Sequence, residues 1–323
     1  MYDIVTIGEA LIDLAAVETG LPLSEVTSFK RVAGGAPANV AVGSSKLGRK
    51  SGLITRVGDE AFGKHIIDVV GKFGVETSGI QKDTEVNTGL AFIGLPTPYT
   101  REFLFYRNPG ADMRIDFSEI PSDLLLKTKI FHFGSISLIN EPSAASTLKA
   151  VKAAKDAGAI ISYDPNLRMS LWPDEKAARD TIMSVVKYAD IIKVNGDEME
   201  FIFKSKDLEA GAQKLLNMGA KVILCTKGEL GSLFATKHFT GTKDVIKLDS
   251  VDSTGCGDSF LSGIFSILSD YSIEDITTDQ NILEKAVGFG AAAAAITSTM
   301  RGVTDALPNR KKVQDLLEKI KNG

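Results

Sequence analysis

A chain of 323 residues with 44% apolar and 24% charged residues carries material for a large core, enough for one large α/β domain or two smaller ones. Its net charge of −4 gives no electrostatic basis for binding nucleic acid or an anionic membrane surface. Two cysteines make no disulfide framework, MYDIVTIGEA lacks the basic start and apolar core of a signal peptide, and no apolar run is long enough for a bilayer, so the sequence reads as that of a cytoplasmic protein.

The first element is a buried strand in DIVTIGE (3–9). In AGGAPANVAVGSSKLG (33–48) the pair Gly34 and Gly35 allows close backbone approach, and small and apolar residues at helical spacing then run to Gly48, a helix end. Asn39 falls one turn into that helix, where its amide offers a donor and an acceptor, a pairing suited to a polyol. A glycine turn leading into a packed helix accounts for the same residues. SGLITRVG reads as a strand and EAFGKHIIDVVGKFG as a helix ending at Gly74. Two stretches break the rhythm, about 10–33 and 86–110; the second holds two strand-like runs joined by PTPYT. They read as β excursions forming a small lid, or else as ordinary edge strands.

From KIFHFGS to AKVILCTKG, strand and helix alternate, which predicts a parallel sheet with helices on both faces. Ligands in such sheets sit beyond the carboxyl ends of the strands, where TIGE, SYDPN, IKVNGDE and LCTKG place polar residues. No linker, low-complexity tract or repeat interrupts the chain, so 1–323 reads as one domain with an appendage.

VDSTGCGDSF (251–260) puts two glycines and an aspartate just ahead of a helical apolar pattern. The glycines let the chain turn tightly, so that successive N–H groups at the helix start make an anion site. Asp258 then lies in the first turn. It either removes a proton from a hydroxyl attacking a phosphate or caps the helix. His65, His132 and His238 have no zinc spacing and read as structural, and Trp172 reads as loop packing.

GGAPANVAVGSSKLG and DSTGCGDSFLSGI together resemble the two signatures of the ribokinase-like (PfkB) carbohydrate kinases, and the likeness extends from IGEALIDL to GVTDALPN. The family usually has Ala where Cys256 stands, a change that keeps a small side chain and the backbone donor. FYRNPGADM, GSISLINEP and ISYDPNLRMSLWP are most similar to the fructokinase group, and DPNLR also occurs in 2-keto-3-deoxygluconate kinases. The resemblance implies a ribokinase-like three-layer α/β fold, a single kinase domain over 1–323, and ATP-dependent phosphorylation of D-fructose at its 6-hydroxyl. It makes Asp258 the general base, and the N–H groups of Gly255, Cys256, Gly257 and Asp258 the anion hole. Asp13, Gly34, Gly35 and Asn39 match sugar-binding positions, and Arg107 and Arg168 basic positions near sugar and transferring phosphate. Either arginine could instead be a plain ion pair. Asn195 and Glu198 match an Asn-x-x-Glu motif that supports hydrated Mg²⁺, although a helix cap explains the same string. Thr226, Gly228 and Gly231 match the nucleotide-binding turn, or equally a hairpin. Asp252 matches the carboxylate of an activating monovalent-cation site, such as one for K⁺. The expected partners are a sugar and ATP, with a second copy of the chain meeting the β lid; no nucleic acid or membrane partner is expected. Intact GCGD argues against a non-catalytic relative, and no strand leads into a Gly-x-Gly-x-x-Gly fingerprint for a dinucleotide dehydrogenase.

Overall fold

Strands that are apolar on both faces need helices on each side, and alternate residues here divide cleanly between two layers. The computed structural model describes residues 1–97 and 100–322. Pro98 and Tyr99, within PTPYT, and Gly323 lie outside the described residues. In chain order the strands are β1 (Tyr2–Ile7), β2 (Leu11–Ala16), β3 (Phe29–Gly34), β4 (Ser51–Gly58), β5 (Ile80–Asp83), β6 (Leu90–Gly94), β7 (Glu102–Tyr106), β8 (Thr128–Gly134), β9 (Ile160–Asp164), β10 (Ile191–Asn195), β11 (Val222–Thr226), β12 (Ser232–Ala235) and β13 (Thr240–Lys243). Nine of them form the main sheet in the order β13-β12-β11-β10-β9-β8-β1-β4-β5. It is parallel from β11 to β5, and β12 and β13 join antiparallel.

Helices cover both faces: α1 (Ala36–Lys46), α2 (Ala61–Lys72), α3 (Ser122–Leu126), α4 (Ser143–Asp156), α5 (Glu175–Val185), α6 (Gly196–Phe203), α7 (Leu208–Asn217), α8 (Cys256–Leu268), α9 (Ile273–Thr278), α10 (Gln280–Ser298) and α11 (Arg310–Asn322). Val5, Phe131, Ile192 and Ile223 point to the layer of α3–α7. Their neighbours Ile4, Ile130, Ile191 and Val222 point to the layer of α1 and α8–α11. The three-layer α/β expectation holds. Among the described residues no helix is long and apolar enough to cross a membrane.

The stretches 10–33 and 86–110 build a separate four-stranded sheet, order β3-β2-β6-β7, with β3 running one residue further to Gly34. Phe92 packs edge-on between Phe29 and Tyr106, at 5.1 and 5.5 Å between ring centres. This small sheet meets the main body where β3 turns through Gly35 into α1.

Candidate active site

The start of α8 needs a glycine on two counts. Gly255 is left-handed, with φ 76°, and a Cβ on it would lie 2.4 Å from Val303 Cγ1. Among the described residues the N–H groups of Gly255, Gly257 and Asp258 meet no acceptor. Such donors at a helix N-terminus form an anion site. One expected donor is turned away: the Cys256 N–H donates to the Ser253 carbonyl at 3.2 Å, because the loop closes on itself there. The Cys256 thiol is no nucleophile, since burial and the charges of Asp252 and Asp258 push it up to about 12.

Asp258 is the third residue of α8 and makes no capping bond. It is buried, and its Oδ2 accepts from Asn39 Nδ2 at 2.8 Å. The Ser262 hydroxyl, 2.7 Å from the Asp258 carbonyl and 3.2 Å from that of Val40, ties α8 to α1 around this pair. Asn39 Oδ1 is buried without a partner, an acceptor left for a donor from outside the protein. Burial pushes Asp258 up to about 6. Asp164 adds to the rise, while the Asn39 bond, Lys193 and Arg168 oppose it. A carboxylate held there is a competent base near neutral pH.

Across from it, Asp13 on β2 is buried, and no group among the described residues donates to its carboxylate. Burial, then the charge of Asp258, pushes Asp13 up to about 7 against the pull of Arg168. Gly34 makes its room: a Cβ there would lie 2.1 Å from Asp13 Oδ2. Gly35, at φ 104°, lies so close to the Glu9 carbonyl that a Cβ would stand 2.4 Å from it. Glu9 Oε1 in turn accepts from Ala36 N at 3.0 Å, at the start of α1.

The two arginines part company. Arg168 stands over the Phe103 ring at 5.2 Å, and its charge acts on both Asp13 and Asp258. Arg107 is committed to Asp112, with Nε at 2.8 Å and a terminal nitrogen at 2.5 Å, both side chains buried. This is the ion pair that the sequence leaves open for Arg107.

Beneath the helix start lies a charged cluster that the sequence reading missed. Lys193 Nζ bonds Asp164 Oδ2 at 2.9 Å, and a Cβ on Gly257 would come within 3.3 Å of the same Nζ. Burial pulls Lys193 down, but Asp164 and then Glu198 more than restore it, so it stays charged. Asn195 and Glu198 form a capping box: each side chain accepts the other's N–H at 2.8 Å, and Glu198 also accepts from Leu167 N at 2.8 Å. Thr226 pairs in register with Asn195. Gly228 and Gly231 follow, both left-handed, and lead into β12 as a hairpin. Asp252 Oδ1 accepts from the N–H and hydroxyl of Thr254 at 2.9 and 2.7 Å and from Arg101 at 2.8 Å.

Among the described residues no group of three or more His, Cys, Asp or Glu could hold a metal alone. Glu198 spends one lone pair of each oxygen on a backbone N–H and keeps the others. That donor set fits a hydrated Mg²⁺ carried by nucleotide phosphates rather than a bare ion. His132 is buried against Ser162 and held down to about 4 by burial, hence neutral and structural. Trp172 is buried, as loop packing requires.

Known proteins resemble this chain over nearly its whole length. The pattern described as "pfkB family carbohydrate kinase" matches residues 1–310. Probable fructokinase-7 of Arabidopsis thaliana is 43% identical over 324 residues, covering 99% of this chain and 93% of that protein. Fructokinase-2 of Solanum lycopersicum is 41% identical over 316 residues, covering 98% and 96%. The crystal structure of fructokinase with bound ATP from Xylella fastidiosa superposes with a TM-score of 0.91 at 28% identity, covering 99% of this chain and 100% of that one. A fructokinase double mutant from Vibrio cholerae O395, in a form with fructose, ADP and potassium ion bound, gives 0.88 at 29% identity over 97% and 98%. With both signatures folded around one buried aspartate and the match running through residue 310, the chain belongs to the pfkB family of carbohydrate kinases.

Proposed function

We propose that this carbohydrate kinase transfers the γ-phosphoryl group of ATP to the 6-hydroxyl of D-fructose. The observation that carries the reading is the buried Asp258–Asn39 pair beside three unaccepted N–H groups. Asp258 takes the hydroxyl proton as the oxygen attacks, and the N–H groups of Gly255, Gly257 and Asp258 face the charge spread over the phosphoryl oxygens. Asn39 Oδ1 and the Asp13 carboxylate accept hydroxyl protons of the sugar, and Arg168 and Lys193 balance the negative charge around them. Glu198 and Asn195 support Mg²⁺, which when bound neutralises phosphate charge, and the turn with Thr226, Gly228 and Gly231 holds the nucleotide. The small sheet is the lid that excludes water.

A neutral polyol suits this pocket better than a sugar acid. Asp13 and Asn39 Oδ1, both buried and neither accepting from any described residue, offer acceptors to hydroxyl groups. The relatives named fructokinase point the same way. Two free cysteines suit a reducing compartment such as the cytoplasm. The outer side of β7, where Leu104 and Tyr106 are 47% and 62% exposed, supplies the face on which a second copy would pack. The test of function is the specificity constant with MgATP for fructose, ribose and 2-keto-3-deoxygluconate, with the phosphorylated position read by phosphorus NMR. Fructose is expected to lead; a higher constant for either competitor overturns the substrate.

A further inference from the structure

The loop that delivers the N–H groups of α8 is not itself helical. It is pinned at its start, where Val251 N and Asp252 N both donate to the Ser298 carbonyl, at 2.7 and 3.0 Å. Beyond that point its shape depends on Asp252, whose Oδ1 gathers the Thr254 N–H and hydroxyl. The third donor to that oxygen comes from the small sheet. Arg101, in the connection just before β7, places a terminal nitrogen 2.8 Å from Asp252 Oδ1 and its Nε 3.2 Å from Thr254 Oγ1. The pair spans 151 positions of sequence and is nearly dry, with the side chains 13% and 9% exposed. Two charges withdrawn from water this far persist only where the geometry satisfies both.

Asp252 is also the carboxylate that family resemblance offers to a monovalent cation. Here a single positive charge already stands on it, and that charge belongs to the part of the molecule that covers the site. We infer that Arg101 is a positioning residue that does the work of that cation. When the small sheet is down, its guanidinium fixes Asp252 and Thr254, and through them the turn that aims the Gly255, Gly257 and Asp258 donors. When the sheet lifts, the charge leaves with it and the turn loosens. Closure over the sugar and assembly of the phosphoryl site are thereby one event, and ATP without an acceptor meets an unfinished site. This inference rests on the proposed role of the α8 start as the phosphoryl-binding site.

The test compares wild type, Arg101→Met, Arg101→Lys and Asp252→Asn in KCl and in tetramethylammonium chloride of equal ionic strength, at saturating fructose and MgATP. Wild type is expected to run at the same rate in both salts. A hydrogen-bonded charge is worth about 1.5–3 kcal/mol, so Arg101→Met should lose at least about tenfold in kcat in tetramethylammonium. K⁺ should restore part of that loss, because the freed Asp252 then takes the ion, and Arg101→Lys should fall between. A second readout needs no turnover: KCl should raise the melting temperature of Arg101→Met and leave wild type and Asp252→Asn unmoved. Where Arg101→Met fails to fold, Arg101→Lys and Asp252→Asn carry the comparison. A wild type that needs K⁺ as strongly as the variant overturns the inference, as does an Arg101→Met enzyme with wild-type kcat in both salts. Wild-type turnover of fructose in KCl is the control: its absence sinks the functional reading, while the melting shifts still judge Arg101.

Discussion

The two halves of the site are built on opposite physical terms. On the main body, α8 is buried continuously from Asp258 to Leu268, and the helix pair α1 and α8 is locked by Ser262. Asp258, Asn39, Lys193 and Asp164 are all buried and bonded to one another or to their neighbours. On the small sheet, exposed and half-buried residues alternate along β7, and Arg101 and Phe103 are its contacts to Asp252 and Arg168. Groups that must hold sub-ångström geometry sit where packing forbids motion. The small sheet is packed on the body through Ile12 and Ala33, buried with Val42, Leu53 and Ile66, but its β7 edge, proposed to close over the substrate, reaches the site through a few polar and ring contacts. The division predicts where mutations act: on the main body they lower kcat, and on the sheet they raise KM, except at Arg101, which reaches across to the loop ahead of α8 and acts on kcat.

The strongest way to break the comparison is at Asp258. Asp258→Asn keeps the shape and removes the base, so kcat should fall by about 10²–10⁴-fold. Fructose and MgATP binding, measured calorimetrically, should persist, because Asn39 and the glycine backbone are unchanged. A variant that keeps more than about a tenth of wild-type kcat, far short of the loss expected of a general base, would move the base elsewhere.

Asp13 tests the junction of the two halves, since it sits on the small sheet but reads the charge of Asp258. Losing hydrogen bonds to a charged group costs about 1.5–3 kcal/mol, so Asp13→Asn should raise KM for fructose by roughly 10–100-fold with a smaller change in kcat. The same group costs the empty enzyme stability. Its folded value near 7 stands above an ordinary carboxylate's, so folding takes up a proton between about pH 4 and 7. The stability this contributes is complete below that window and is lost as pH rises through 7. Glu9, raised to about 7, and Asp258, raised to about 6, add to the same fall, so the melting temperature without substrate should drop from pH 5 to 8 and Asp13→Asn should make the drop shallower without removing it. A slope unchanged by the substitution would place the titrating group elsewhere.

The sequence shows these halves unequally. Alternating strand and helix patterns give the main sheet, and glycines stand at Gly34, Gly35 and Gly255, where a Cβ would clash or the chain turns left-handed. Asp258 and Asn39 are legible through the signatures that hold them. Lys193 and Asp164 are not. Each is one polar residue near a strand end, and only folding shows that β9 and β10 bring them under Gly257. The ion pair of Arg107 is hidden because its partner Asp112 is one of many acids, and nothing local says which one it meets. The Cys256 N–H is lost from the anion hole through a turn closure that residue identity does not encode. Arg101 lies furthest from legibility, since its contact joins a loop of one sheet to a loop ahead of a helix 151 positions on.

The smallest expected effect sharpens the comparison most. Phe103 gives Arg168 a ring face at 5.2 Å and takes no part in the charge network around Asp258. Phe103→Leu keeps apolar bulk and removes that face. A cation over a ring is worth about 0.5–1 kcal/mol where water still has access, so KM for fructose should rise only about two- to fivefold while kcat holds. Phe105→Leu is the matched control, because Phe105 stacks on Phe103 at 6.0 Å on the same side of β7 and lies off Arg168. It should leave both constants near wild type. Arg168 belongs to the loop after β9 on the main body, so a kcat loss in Phe103→Leu as deep as that of Asp258→Asn would mean that the sheet sets the arginine's working position. The chemistry would then be shared between the halves, and the division argued from burial would fall.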